Sequence, residues 1–270
     1  MTKRFVLKLS GQAIAGGDTF GFDSDRVTHL ATEVLAARAA GAEIAVVIGG
    51  GNVFRGNRSE EWGIDRVEAD NIGMLGTVIN AVLLRSRLTT LGEYDVRLMT
   101  AIPINNLAEP YIRLRALRHL AKGSIVVLAC GNGQPFTTTD YPAVQRAIEL
   151  GAHGLLVAKN GADGIYDADP NKVPTARPFE RLGYQEAIDR QLRVMDQSAF
   201  VLARDHRLPL HVFDIDPPRC GGRDLPQYAG RNGGQLSRCR LRAIVSRCGW
   251  IQSPPASYSI RTVTAAQTAW

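Results

Sequence analysis

Apolar positions alternate between two spacings from the start of the chain to about residue 216. Arg4–Leu9 carries the two-residue period of a strand. Asp23 stands where a helix N-cap belongs, and Val27, Leu30, Ala31, Val34 and Leu35 form one helical face ending at Gly41. Glu43–Ile48 is a short apolar run of strand length, with Gly49, Gly50 and Gly51 directly after it. The pattern then predicts helices over 65–91, 110–122, 139–150, 184–190 and 196–205. It predicts strands over 96–100, 124–129, 154–158 and 208–213. Strands alternating with helices imply crossover connections and a mainly parallel sheet covered on both faces. Ligands of such sheets sit at the carboxyl ends of the strands.

Beyond Asp216 this periodicity stops. Residues 217–270 are rich in Arg, Gly, Pro, Ser and Gln, hold Trp250 and Trp270, and receive no fold assignment from the pattern. Two regions are therefore expected, 1–216 as the folded part and 217–270 as an atypical tail.

Charge changes the picture only by locating it. The chain of 270 residues carries 32 basic and 26 acidic side chains, a net of +6. Eight arginines (219, 223, 231, 238, 240, 242, 247 and 261) and the single acid Asp224 lie in the tail, leaving 24 basic and 25 acidic groups before it. The basic character belongs to the tail, so a nucleic-acid partner for the folded part is not expected. Cys220, Cys239 and Cys248 also lie there, at spacings that fit no zinc site. At 45% hydrophobic and 21% charged the composition is that of ordinary globular proteins. No run of 18 apolar residues suggests a membrane span, and the start reads as mature protein rather than a signal peptide, so a cytoplasmic location is expected.

Four polar loops follow predicted strands. Lys8, Leu9, Ser10 and Gly11 can set an ammonium and backbone amides against phosphate oxygens; a strand-edge lysine before a turn is the plainer reading. Gly49, Gly50 and Gly51, with Arg55 four residues on, allow close backbone approach to an anion and a bidentate contact. The loop is neither a Walker A motif nor a dinucleotide fingerprint. Asn132, Gly133, Gln134, Pro135, Phe136, Thr137, Thr138, Thr139 and Asp140 form a donor-rich cradle, although Thr139 or Asp140 also suits a helix cap. Lys159 and Asn160, then Asp163 through Asp169 with Tyr166, add an acid-rich loop. Glycines, cations and hydroxyls without a Ser-His-Asp set point to phosphoryl transfer, which rests on positioning and charge neutralisation. The five histidines have no ligand spacing.

Taken together, KLSG, GGGNVFRG, Asp70 in ADNIGML, GNGQPFTTTD, AKNGADGIYDADP and VMDQSAFVLARDHRLPLHVF stand in an order and spacing that resembles the uridylate kinases of the amino-acid-kinase fold family. The resemblance covers about residues 4–216. Aspartate, glutamate and acetylglutamate kinases share the fold and parts of the first two motifs, but not the closing block.

It implies a three-layer α-β-α sandwich and direct in-line transfer from ATP to UMP in pyrimidine nucleotide biosynthesis. Lys8, Arg55 and Asp140 would be the catalytic set. Lys8, Leu9, Ser10, Gly11, Gly51, Arg55, Asn160, Tyr166 and Asp169 would bind ATP. Gly50, Asp70 and residues Asn132 to Thr139 would bind UMP. Mg²⁺ would arrive with ATP and need no direct protein ligand. A homohexamer, activation by GTP and inhibition by UTP are also implied, the GTP response being associated with Gly16, Gly17, Asp18, Thr19, Phe20 and Gly21. Other readings are a kinase of this fold with a carboxylate or carbamate substrate, and a non-catalytic nucleotide- or RNA-binding protein using the basic tail.

Two departures stand out. Gln12 replaces the family's usual Glu. After VFDID the family's short helix and terminal strand give way to PPRCGGRDLP. Read one base later, permitted codons for that segment spell PPGAAAVICR, so a frameshift near Asp216 is expected, with the family's closing elements missing and a sheet edge left bare.

Overall fold

The computed structural model describes residues 2–18, 20–161, 164–167, 173, 175–192, 194–216, 240–247 and 259–263. Alternation along the first strand, β1 (Arg4–Leu9), sets up a sheet with two buried faces. Phe5, Leu7 and Leu9 enter one apolar layer, and Val6 enters the other. The chain continues through α1 (Gln12–Ala15), α2 (Ser24–Ala39), β2 (Glu43–Ile48), α3 (Ser59–Trp62), α4 (Arg66–Leu91) and β3 (Val96–Thr100). Next come β4 (Glu109–Pro110), α5 (Arg113–Ala121), β5 (Ile125–Ala129), α6 (Asp140–Glu149), β6 (Gly154–Lys159), β7 (Ile165–Tyr166) and β8 (Pro178–Phe179). The last elements are β9 (Arg181–Gly183), α7 (Tyr184–Asp189), α8 (Gln197–Asp205), β10 (Leu210–Asp214), α9 (Arg240–Arg247) and β11 (Ser259–Val263).

Nine strands form one sheet in the order β4-β3-β5-β2-β1-β6-β10-β11-β9, parallel except where β9 runs against β11. Leu30 and Val34 of α2, Leu84 and Leu88 of α4, and Leu241 and Ile244 of α9 fill one layer. Leu120 of α5, Val144 of α6 and Phe200 of α8 fill the other. This is the three-layer sandwich that the alternating pattern predicts. Asp23 caps α2 by accepting from the amides of Asp25 and Arg26 at 2.8 and 3.1 Å, as expected of an N-cap.

Some boundaries differ. The helix expected over 110–122 starts at Arg113, because Glu109 and Pro110 pair with Met99 and Thr100 as an edge strand. Proline is tolerated at such an edge. Helix α4 is long and apolar enough to cross a membrane by length and composition, yet 44% of that stretch is buried within the fold. Core helices meet the same criterion.

The tail expectation needs correction at two stretches. Helix α9 packs on α2, and β11 lies between β10 and β9 in parallel register with β10, Leu210 opposite Ile260. Strand β10 therefore has a neighbour on each side. The pattern misses both elements because eight and five residues between long polar stretches give too few apolar repeats. Residues 217–239, on which the frameshift expectation falls, lie outside the described residues.

Candidate active site

Strands β5, β2, β1 and β6 are adjacent, so the loops leaving their carboxyl ends meet. A cleft of about 470 Å³ opens there, lined by Lys8, Ser10, Gly11 and Gln12, by Gly49, Gly50, Gly51 and Arg55, and by Asp70 on α4. Asn132, Gln134, Thr137, Thr138, Thr139 and Asp140 complete the wall. Three of the four predicted loops thus line one cavity. The fourth reaches it indirectly, through Asn160, whose Oδ1 accepts from Ser10 Oγ at 3.0 Å.

The centre of the cleft is a buried charge pair. Lys8 stands on the opposite face of β1 from Leu7 and Leu9, which brings it to the start of α6. Its Nζ lies 2.7 Å from Asp140 Oδ1. Burial would raise the Asp140 carboxyl, but the Lys8 charge and hydrogen bond, with Lys159 behind, hold it below the ordinary carboxylate range. Lys159 is itself pushed down to about 8 by burial and by the like charge of Lys8. Its ammonium donates to the Val194 carbonyl. Asp196 closes the group: its amide donates to Asp140 Oδ2 at 3.3 Å, and its carboxylate accepts from the Thr138 hydroxyl.

Expectations about helix capping shift here. Neither Thr139 nor Asp140 caps α6 with its side chain; the Thr138 hydroxyl accepts from the Asp140 amide at 3.2 Å.

The glycine loop is fixed from below. A Cβ on Gly50 would lie 2.5 Å from the Gly73 carbonyl and 2.7 Å from the Thr77 amide, so only glycine lets α4 approach this closely. Buried Asn80 donates to the Gly49 carbonyl at 2.7 Å and exchanges amide bonds with buried Asn52. Asn52 also donates to the Gly21 carbonyl at 2.9 Å, tying the 16–21 loop to the cleft wall. Asp70 is held by Arg66 at 3.0 Å and by the Phe136 amide at 2.9 Å. Cys130 and Phe136 adopt positive φ of 62° and 61°, so the cradle between them is locally strained.

Several predicted residues stand apart. Leu9 is fully buried in the core, and only its carbonyl serves the loop, accepting from the Gly49 amide at 2.9 Å. Gly133, Pro135 and Phe136 do not line the cleft, and the Phe136 ring is exposed beside Arg66. Tyr166 lies in the β7–β8 ribbon rather than on the cleft wall. Gly16, Gly17, Asp18, Phe20 and Gly21 form the separate loop that Asn52 ties down; Thr19 and Asp169 lie outside the described residues. Sequence reasoning gave no role to Asp196, Lys159 or Asn80. The first two sit within quoted motifs, while Asn80 is a polar residue on an apolar helix, a signal that is readable in retrospect.

The sequence matches the amino acid kinase family over residues 3–214. It is 65% identical to the uridylate kinase of Frankia alni over 214 residues, covering 79% of this chain and 84% of that protein. It is 50% identical to the Nocardioides uridylate kinase over 215 residues, 80% and 90% of the two chains. The crystal structure of UMP kinase from Bacillus anthracis superposes with a TM-score of 0.78 at 53% identity, over 80% of this chain and 88% of that one. Aspartate kinase from Synechocystis, at 21% identity, TM-score 0.61 and with 78% of this chain and 38% of that one covered, shows the shared fold alone. With its buried Lys8–Asp140 pair at the carboxyl edge of a parallel sheet, this chain belongs to the amino acid kinase family, among the uridylate kinases.

Proposed function

We propose that the chain transfers the γ-phosphoryl group of ATP directly to UMP. A phosphate oxygen of UMP forms the new P–O bond while the bond to the β-bridging oxygen breaks, leaving UDP and ADP. The observation that carries this reading is the cleft itself, where Lys8 is held by Asp140 beside Gly49, Gly50 and Gly51 and beside Thr137, Thr138 and Thr139. Such a site offers donors for phosphate, and in-line transfer rests on positioning and charge neutralisation rather than on a protein nucleophile. Lys8 and Arg55 neutralise charge that develops on the transferring group, and Asp140 orients Lys8. Ser10, Gly11, Gly51 and Asn160 face the donor; Gly50, Asp70 and the 132–139 loop face UMP.

Mg²⁺ suits this cleft as a companion of ATP rather than as a resident ion. Among the described residues no three His, Cys, Asp or Glu side chains form a metal group. Asp140 is engaged by Lys8 and Asp196 by Thr138. When bound, the cation supplies further neutralisation of phosphate charge.

The test is ADP release by the full chain with UMP, CMP, aspartate or acetylglutamate. Turnover with UMP well above the others is expected, and its absence sinks the reading. We further propose a cytoplasmic homohexamer activated by GTP and inhibited by UTP. The exposed Ile72, Leu75 and Ile79 on one side of α4 support self-association. The Asn52 tie to the 16–21 loop supports communication with a second nucleotide. Light scattering that finds a monomer, or rates indifferent to GTP and UTP, would remove those parts.

A further inference from the structure

The family match ends at residue 214, yet the helix beyond it is bonded into the nucleotide site. Glu33, on α2 and only 4% exposed, aims both carboxylate oxygens at the start of α9. They accept from the amides of Arg240 and Leu241 at 3.1 and 2.8 Å, two of the donors that a helix start leaves without partners. So anchored, Arg240 points its guanidinium at the end of β10. Its Nη1 donates to the Asp214 carbonyl at 2.7 Å and lies 3.5 Å from the Asp214 carboxylate.

From Asp214 the bonds run on without a gap. Asp214 Oδ1 accepts from the Gly161 amide at 3.2 Å and from the Asp216 amide at 2.9 Å. Asp216 Oδ1 accepts from Asn160 Nδ2 at 3.0 Å and from Arg26. Asn160 Oδ1 accepts from Ser10 Oγ, two residues from Lys8. Each acceptor in this series is a short acidic or amide side chain whose place is set by its neighbour. Removing the guanidinium takes away the cation that Asp214 pairs with among the described residues and leaves it facing two amides.

We propose that Arg240 is a positioning residue for the donor-nucleotide loop. It holds Asp214 so that Asn160 and Gly161 are presented to ATP in one geometry, with Glu33 as its anchor. This rests on the reading that Asn160 faces the phosphate donor. Asp70 and the 132–139 loop take no part in this series of bonds, so UMP binding is separable from it.

The experiment measures ATP and UMP affinities by titration calorimetry on the full chain and on R240A and R240K, with kcat and both KM values from ADP release. ATP affinity is expected to fall about tenfold in R240A, the effect of losing a charge-assisted bond. UMP affinity should stay within about twofold. R240K restores a point charge without the fork and should recover part of the loss. A purely structural role would weaken both ligands together, and that result, or unchanged ATP affinity in both variants, overturns the proposal. Should R240A fail to fold, R240K decides the matter by the same comparison. Calorimetry reads the Arg240 effect on ATP binding even if UMP is not turned over, so a failure of the activity reading is seen separately.

Discussion

At the scale of single residues, the proposed chemistry rests on a lysine that is buried and held by a carboxylate. Lys8 is 8% exposed, and Asp140 is its counter-charge. Burial and a like charge drive an ammonium toward its neutral form, as the downward push on Lys159 illustrates even with a carbonyl to donate to. Replacing Lys8 by Met keeps the length and removes the charge. It is expected to lower kcat by about 10²–10³-fold, the range for one preorganised charge donor. ADP release under saturating ATP and UMP checks this; activity within threefold of the parent would show that Lys8 is not the stabilising group. That lysine was legible in KLSG. Its partner Asp140 was legible as a carboxylate for a lysine or for Mg²⁺, and only the fold, which joins residues 132 positions apart, shows that it holds Lys8.

At the scale of elements, the contact between α2 and α9 carries a pH signature. Burial pushes Glu33 up to about 7, against the two α9 amides that favour its carboxylate. The folded state therefore prefers the protonated form. Its stabilising effect is present below the unfolded value near 4.5 and is lost as pH rises through about 7. The full effect is on the order of 3 kcal/mol. His211 acts in the other direction. Burial, aided by Arg261, lowers it to about 4, so its contribution is present above 6.5 and is lost as pH falls. Comparing the parent with Glu33→Gln isolates the first effect, since His211 is common to both. Thermal melts from pH 5 to 8 should show the parent losing ground to E33Q as pH rises, whatever constant offset the substitution adds. Parallel curves would show that Glu33 does not titrate in the fold.

At the scale of the whole molecule, the sheet is finished by residues that the periodicity leaves unassigned. Leu241, Ile244, Val245 and Ile260 are all at most 5% exposed. Burying four such side chains contributes about 6–12 kcal/mol by transfer estimates, comparable to the net stability of a domain. Removing everything after Asp216 also bares β10 as an edge strand. The 1–216 fragment is expected to be largely insoluble, or to melt at least about 10 °C below the full chain. A fragment that is soluble and melts with the full chain would show that the closing elements are dispensable. The bare sheet edge expected of the full chain thus belongs to the fragment, because α9 and β11 are in place.

The sequence by itself determined the layered α/β plan, because strand and helix periods are local and repeat many times before Asp216. It also determined the loop chemistry, because glycine runs and threonine clusters are visible without coordinates. Only the tertiary structure decided which loops converge, that Leu9 is core while Lys8 one position earlier is site, and that Asn80 braces the glycine loop. It alone placed α9 and β11, whose positions depend on a buried glutamate more than 200 residues away and on strand partners at both sides. Long-range pairings of this kind leave no period in the chain, so they are absent from the sequence pattern and present only in the fold.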